Sequence, residues 1–208
     1  MKTRDKILDC AQRLFSKEGF DKISTKRIAK EAECNEVTIF RLFGTKDRVL
    51  EEIINKFVEE SKIIRSLHES LTGELEQDIA KSILLYQNFL HQHEIIFRLQ
   101  LKLSDNDNQK FLRTIDFKNY LVDHFIGVFH EHRVNYSSEI FVNDMLSSVM
   151  GSFLLKILTQ GKFTGERDGH FLSEKIRFYQ NSINQYKESK WQEMKKRKPK
   201  KEGFLFFN

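Results

Sequence analysis

Between Arg4 and Lys17 the apolar residues fall at Ile7, Leu8, Ala11, Leu14 and Phe15, the spacing of a helix with one buried stripe. Thr3 is a cap-type residue ahead of this stripe and Gly19 a stop behind it. A second, shorter helix starts at Ser24 and runs through Ile28, Ala29 and Ala32. Asn35 offers a cap for a third, which carries Val37, Ile39, Phe40 and Phe43. Thr45 caps a longer fourth, with Val49, Leu50, Ile53, Ile54 and Phe57. Helices this short are not stable alone, so the first three must pack on one another, as helix-turn-helix units do.

Beyond residue 60 the helical period continues in longer segments. It predicts helices near 74–91, 94–103, 109–132, 138–160 and 170–197, separated by short polar breaks such as Leu71-Thr72-Gly73. No segment alternates with period two, so the fold class is all-α: a three-helix helix-turn-helix head joined to a larger helical body.

Charge sharpens that division. Residues 1–48 carry 12 Lys and Arg against 8 Asp and Glu, residues 49–186 carry 15 against 19, and residues 187–208 carry 8 against 3. A basic head on a mildly acidic body suits a protein whose head touches phosphate, although solvated surfaces also show such imbalance. Nineteen phenylalanines, fourteen of them after residue 60, give the body a greasy core, a greasy cavity, or both. Cys10 keeps the helical stripe and reads as a core residue; with Cys34 it forms neither a disulfide framework nor a metal motif. No catalytic nucleophile with its base, P-loop or complete calcium loop is visible, so an enzyme, a resident metal or a cofactor is not expected. The start of the chain leads into no apolar stretch of signal length, and no run of about 18 apolar residues offers a membrane span. A cytoplasmic, reduced protein without a membrane partner is expected.

Residues 7–54 resemble the DNA-binding head of the TetR family. The match runs through Ile7-Leu8-Asp9-Cys10-Ala11, Leu14-Phe15 and Glu18-Gly19-Phe20, then the run from Ser24 to Ala32. It continues through Val37-Thr38-Ile39-Phe40-Arg41-Leu42-Phe43 and Thr45-Lys46-Asp47 to Leu50. The resemblance implies double-stranded DNA as partner, with Ser24, Thr25, Lys26 and Arg27 near phosphate at the second helix's N-terminus. It implies that Glu36, Val37 and Thr38 face the bases, after the cap Asn35, with Phe40 and Arg41 against backbone or base edges. Lys46 matches the family's phosphate-binding lysine. The chemistry agrees: a helix N-terminus accepts an anion, and cations in the first turn, unfavourable to the helix dipole, are explained by a phosphate there. Four departures stand out: Glu33 where the family has a turn glycine, Cys34 for a buried aliphatic, Phe40 for tyrosine, and an acidic Glu36.

For the body, the resemblance implies a homodimer paired through its last two long helices and a small-molecule effector. The apolar positions Phe141, Met145, Val149 and Phe153, then Ile176, Tyr179 and Ile183, form the expected pairing stripe; closing the intrachain core is the alternative. Tyr86, Phe89, Phe97, Phe117, Tyr120, His124 and Phe125, with Phe111 between them, are candidates to line a cavity for an apolar or aromatic ligand. Aromatic stripes at this spacing also make plain core. The domains expected are the DNA-binding head 1–48, a regulatory and dimerisation body 49–195, and a basic tail 196–208. A repressor released from a palindromic operator by ligand is the leading expectation. A protein-controlled regulator without a small ligand, or a helical interaction module, is the alternative.

Overall fold

The computed structural model describes residues 2–60, 63–103, 117–162 and 168–187, and among these the chain is helical with no strand beyond an isolated bridge between Val134 and Lys187. The head comprises α1 (Thr3–Glu18), α2 (Thr25–Glu31) and α3 (Glu36–Phe43). α4 (Lys46–Glu60) leads into the body, which comprises α5 (Ile63–Ser70), α6 (Leu75–Gln92), α7 (Glu94–Gln100), α8 (Phe117–Glu131), α9 (Ser138–Thr159) and α10 (Asp168–Asn184).

The head folds where the sequence places its caps. Ser24 Oγ accepts from the Arg27 N–H at 3.2 Å, Asn35 Oδ1 from the Val37 N–H at 2.9 Å, and Thr45 Oγ1 from the Arg48 N–H at 3.2 Å. Each satisfies one N–H left without an intrahelical acceptor. Thr3 instead is the first helical residue, and its predecessor Lys2 makes no side-chain cap. Gly19 ends α1 at φ 99°, and Phe15 and Phe20 close the corner edge to face, 5.0 Å apart. At the turn between α2 and α3, Glu33 adopts φ 52°. The Cys34 N–H donates to Ala29 O at 2.9 Å and the Glu33 N–H to Lys30 O at 3.3 Å, the paired bonds of a helix end whose next residue is left-handed. Glycine's absence there is thus met with a strained non-glycine backbone, as the sequence implied.

In the body α6 is the axis. Its Ile79, Ile83 and Leu90 are fully buried, and α5, α8, α9 and α10 pack around it. α7 lies on α1 and joins body to head, helped by Lys102, whose ammonium donates to Lys17 O. Phe57 of α4 meets Phe89, His93 and Phe97 in one aromatic group at that junction. α9 alone among the described residues is long and apolar enough to cross a membrane, with a mean hydropathy of 1.4. Its Phe141, Val142, Met145 and Val149 are buried in the bundle.

Two expected helices differ. α5 was not foreseen, since only Ile63 and Leu67 bury from so short a segment. The last helix, expected over 170–197, ends at Asn184 because the Asn135 N–H donates to Tyr186 O at 3.2 Å, drawing the backbone into the bridge to Val134–Asn135. Residues 109–116, the 188–197 part of that expectation, Phe111 and the tail lie outside the described residues.

Candidate nucleic-acid interface

α3 is too short to hold its place by propensity, so its orientation is set by what it buries. Ile39 is fully buried and Phe43 nearly so, each contributing about 1.5–3 kcal/mol. The opposite face leaves Val37 68% and Phe40 50% exposed, with Arg41 beside them. An eight-residue helix that forgoes burial of two apolar side chains presents a surface meant to be covered.

Around that face several cations carry no ion pair among the described residues. Lys26, Arg27 and Lys30 on α2 and Arg41 on α3 are exposed, and among the described residues none pairs with a carboxylate. Other basic residues of α1 and α4 do find acids: Arg4 pairs with Glu52, Lys6 with Glu33, Arg48 with Glu51 and Lys56 with Asp9. Lys30 was not singled out by the sequence; its place on the exposed side of α2 becomes evident only in three dimensions.

Several of the expected contact residues have partners inside the head. Thr25 Oγ1 donates to Glu36 Oε1 at 2.6 Å, tying the start of α2 to the start of α3. The acid of α3 is thereby partly satisfied inside the head. Lys46 Nζ donates to Phe20 O at 2.9 Å and lies 4.2 Å above the Phe20 ring, so in the free protein it braces the α1–α2 corner. Ser24 and Asn35 use their side-chain oxygens as caps, while Thr38 is half-buried.

In the body the expected groupings change more. Tyr86, Phe89, Phe97 and Phe117 pack on one another with ring centroids 4.9–6.5 Å apart. Burial drives the Tyr86 phenol far above its ordinary value. Phe125 is fully buried and Tyr120 half-buried. His124 donates through Nε2 to the buried Asp78 at 2.8 Å, so it holds a carboxylate of its own chain. Asp78 also accepts from the backbone of Thr72 at 3.0 Å and of Gly73 at 2.7 Å, and His132 Nε2 donates to Gly73 O at 2.9 Å. The α5–α6 corner is therefore clamped from α6 and α8. A cavity among the described residues of the body opens between α6, α9 and α10.

The residues of the expected pairing stripe are mostly covered within the subunit. Phe141, Met145, Val149, Phe153, Tyr179 and Ile183 are buried within the single chain, and Ile176 is half-buried. Phe141 meets Phe125, Phe129 and Tyr179 edge on. Surface already withdrawn from water has nothing left to give a partner. The apolar residues that α9 and α10 expose are Ile140, Leu155, Leu158, Phe171 and Phe178.

A capped pair of short helices, its second helix outward and rimmed with unmatched cations, defines a helix-turn-helix protein of the DNA-binding class. Residues 7–53 match the model of the bacterial regulatory proteins of the tetR family. The chain is similar to the HTH-type transcriptional regulator YvkB of Bacillus subtilis, 27% identical over 163 residues that cover 76% of this chain and 85% of the relative. It is also similar to an HTH-type transcriptional regulator of Staphylococcus aureus, 25% identical with 88% and 91% covered. Its fold matches the fatty acid degradation regulator FadR of Bacillus halodurans with a TM-score of 0.69 at 15% identity, over 86% of this chain and 95% of that one. It matches the TetR family transcriptional regulator PfmR of Thermus thermophilus with a TM-score of 0.61 at 14% identity, over 88% and 96%. Residues 7–53 thus carry a DNA-binding head of the tetR type, and over most of its length the chain is similar to HTH-type transcriptional regulators and shares the fold of TetR-family structures.

Proposed function

We propose that this regulator is a repressor that binds a palindromic operator as a homodimer and leaves it when a small, mostly apolar ligand occupies the body. The observation that carries the DNA half is the outward face of α3, with Val37, Phe40 and Arg41 exposed amid unmatched Lys26, Arg27 and Lys30. On DNA, the N–H groups at the start of α2, the Ser24 hydroxyl and the cations of α2 hold phosphate, and Thr25 joins them when its hydroxyl leaves Glu36. Asn35, Glu36, Val37, Thr38 and Arg41 read base edges: Val37 suits a thymine methyl, and Arg41 donates bidentately to guanine. Phe40 lies against the sugar-phosphate wall. Lys46 adds its charge to the phosphates from the start of α4. The working division is a head over 1–48, a body over 49–195 and a tail over 196–208.

Pairing is proposed through the outer faces of α9 and α10, where Leu155, Leu158 and Phe178 are 40–67% exposed. A two-fold dimer then sets the two α3 helices about one DNA turn, ~34 Å, apart. Coupling from body to head is supported by α7, which packs on α1 and carries Phe97 in the aromatic group with Phe57 of α4. A ligand that changes this junction changes the spacing of the heads, and by linkage DNA weakens ligand binding by the same factor.

The test is selection of bound fragments from randomly sheared genomic DNA. Recovery of a palindrome with half-sites about one turn apart is expected. Recovery of no enriched sequence would leave the head as a relic on a protein-interaction module. An enriched palindrome that no small-molecule library releases would favour a regulator controlled by another protein.

A further inference from the structure

The cavity between α6, α9 and α10 measures about 40 Å³. That is the room open to the centre of a water-sized sphere; the void swept by the whole sphere is larger and takes a small ring bearing one polar group. Gln87 and His91 of α6, Ser152 and Phe153 of α9, and Phe171 and Lys175 of α10 line it.

Lys175 is the unusual member. Its ammonium is half-buried, 4.7 Å above the Phe171 ring, and donates to Ser148 O at 2.7 Å, to Ser148 Oγ, and to Ser152 Oγ at 3.2 Å. All of these acceptors are neutral. Among the described residues no carboxylate forms an ion pair with it; Asp144, the acid that acts on it, accepts a 2.9 Å bond from the Tyr179 hydroxyl. A desolvated cation held only by neutral oxygens has its hydrogen bonds but not its counter-charge. Burial accordingly pushes the Lys175 ammonium below the ordinary lysine value. A second polar group is unsatisfied on the same wall: Gln87 Oε1 is buried with no donor among the described residues. Two aromatic rings, a charge lacking its opposite and an orphaned amide together make a site for an anion with an apolar side.

We propose that this cavity binds a small organic carboxylate, its charge held by Lys175 and its carbons lying against Phe153 and Phe171. The carboxylate takes the place of Ser152 Oγ as the third acceptor of the ammonium, and a carboxylate that carries a hydroxyl as well, unlike benzoate, also satisfies Gln87. Phe153 also meets Phe97 of α7 edge on at 5.5 Å, and α7 packs on α1. An occupant of the cavity therefore touches a side chain that touches the helix seated on the head. That consequence rests on the effector reading above; the binding itself does not.

The test uses three probes of one size and shape, benzoate, benzamide and benzamidine, titrated calorimetrically into the full-length protein. Benzoate should bind, benzamide at least about tenfold more weakly, and the cation benzamidine more weakly still, because a hydrogen bond to a charged partner is worth that much. Lys175→Met should erase the preference of benzoate over benzamide, and Lys175→Arg should retain it. Should Lys175→Met not fold, Ser152→Asp sets a fixed carboxylate beside the ammonium and should expel benzoate. Equal affinity for the three probes, or benzoate binding untouched by both substitutions, overturns the inference. So does the absence of benzoate binding at millimolar concentration. Benzoate bound through Lys175 without loss of operator affinity upholds the site and removes the effector reading. Release of DNA by other compounds that bind a protein inert to benzoate upholds that reading and removes this site.

Discussion

Replacing Asp78 with alanine removes the carboxylate on which the α5–α6 corner is hung. Asp78 is fully buried and accepts four hydrogen bonds: from the Thr72 N–H, from the Thr72 hydroxyl at 3.4 Å, from the Gly73 N–H, and from His124 Nε2. Each buried donor left without an acceptor costs about 1–3 kcal/mol. Thr72 is exposed and water can take over its groups, so the full penalty falls on the half-buried Gly73 N–H and on His124, whose side chain is 18% exposed. The sum is about 3 kcal/mol, near the lower end of the range for breaking a buried pair. Against a total stability of about 5–15 kcal/mol this is a large loss. Asp78→Asn keeps one oxygen and should lose less. Urea unfolding at fixed protein concentration measures both, and hydrogen exchange should show the Gly73 amide protected in the wild type and released in Asp78→Ala. A loss below about 1 kcal/mol, or a Gly73 amide exchanging freely in the wild type, would refute the clamp.

Glu33→Gly should raise stability by about 1 kcal/mol in the same assay, since the left-handed φ of 52° is costly for any residue with a Cβ; the exposed Lys6–Glu33 pair lost with it subtracts little. A destabilised variant would mean that the turn is held by that side chain rather than strained by it. In alkaline titration followed at the phenolate absorbance, Tyr86, Tyr120 and Tyr179 should ionise above the usual tyrosine value, because burial lifts all three, Tyr179 to about 12. Their folded values lie above the unfolded one, so this stability is whole below about pH 10 and drains away as pH climbs toward the folded values. These three titrating at the usual tyrosine value in the folded protein would contradict the burial. Phe178→Asp should weaken the dimer without unfolding the subunit, whereas Ile183→Asp should unfold it, because only Phe178 is exposed; light scattering and circular dichroism together separate the two results.

The head was legible in the sequence because its determinants are local. Caps at Ser24, Asn35 and Thr45 and the strained turn at Glu33 each depend on neighbours within five residues, and the structure has all of them. The body was legible as helices but not as surfaces. Periodicity says that Val149 and Ile183 are covered, and it cannot say whether the covering atoms belong to the same chain. Aromatic spacing likewise does not distinguish a packed cluster around Phe89 from the wall of a cavity. Asp78 and His124 lie 46 positions apart and meet only through the packing of α6 against α8. Lys175 looks like any solvated helix lysine until α9 is laid across it. Lys46 shows the complementary limit: its match to a phosphate-binding position says nothing of the Phe20 carbonyl that holds it in the free protein.

The central claim is that the outward face of α3 reads DNA sequence. Fluorescence anisotropy with a selected palindrome and a scrambled duplex of equal length, over a salt series, tests it most directly when wild type is set beside Arg41→Ala. The account predicts that the wild type prefers the palindrome by roughly a thousandfold or more. It predicts that log affinity falls linearly with log salt. Arg41→Ala should cost about 1–3 kcal/mol on the palindrome and far less on the scrambled duplex, as loss of a base contact requires. Equal affinity for the two duplexes, affinity indifferent to salt, or an Arg41→Ala loss shared equally by both sequences would contradict it.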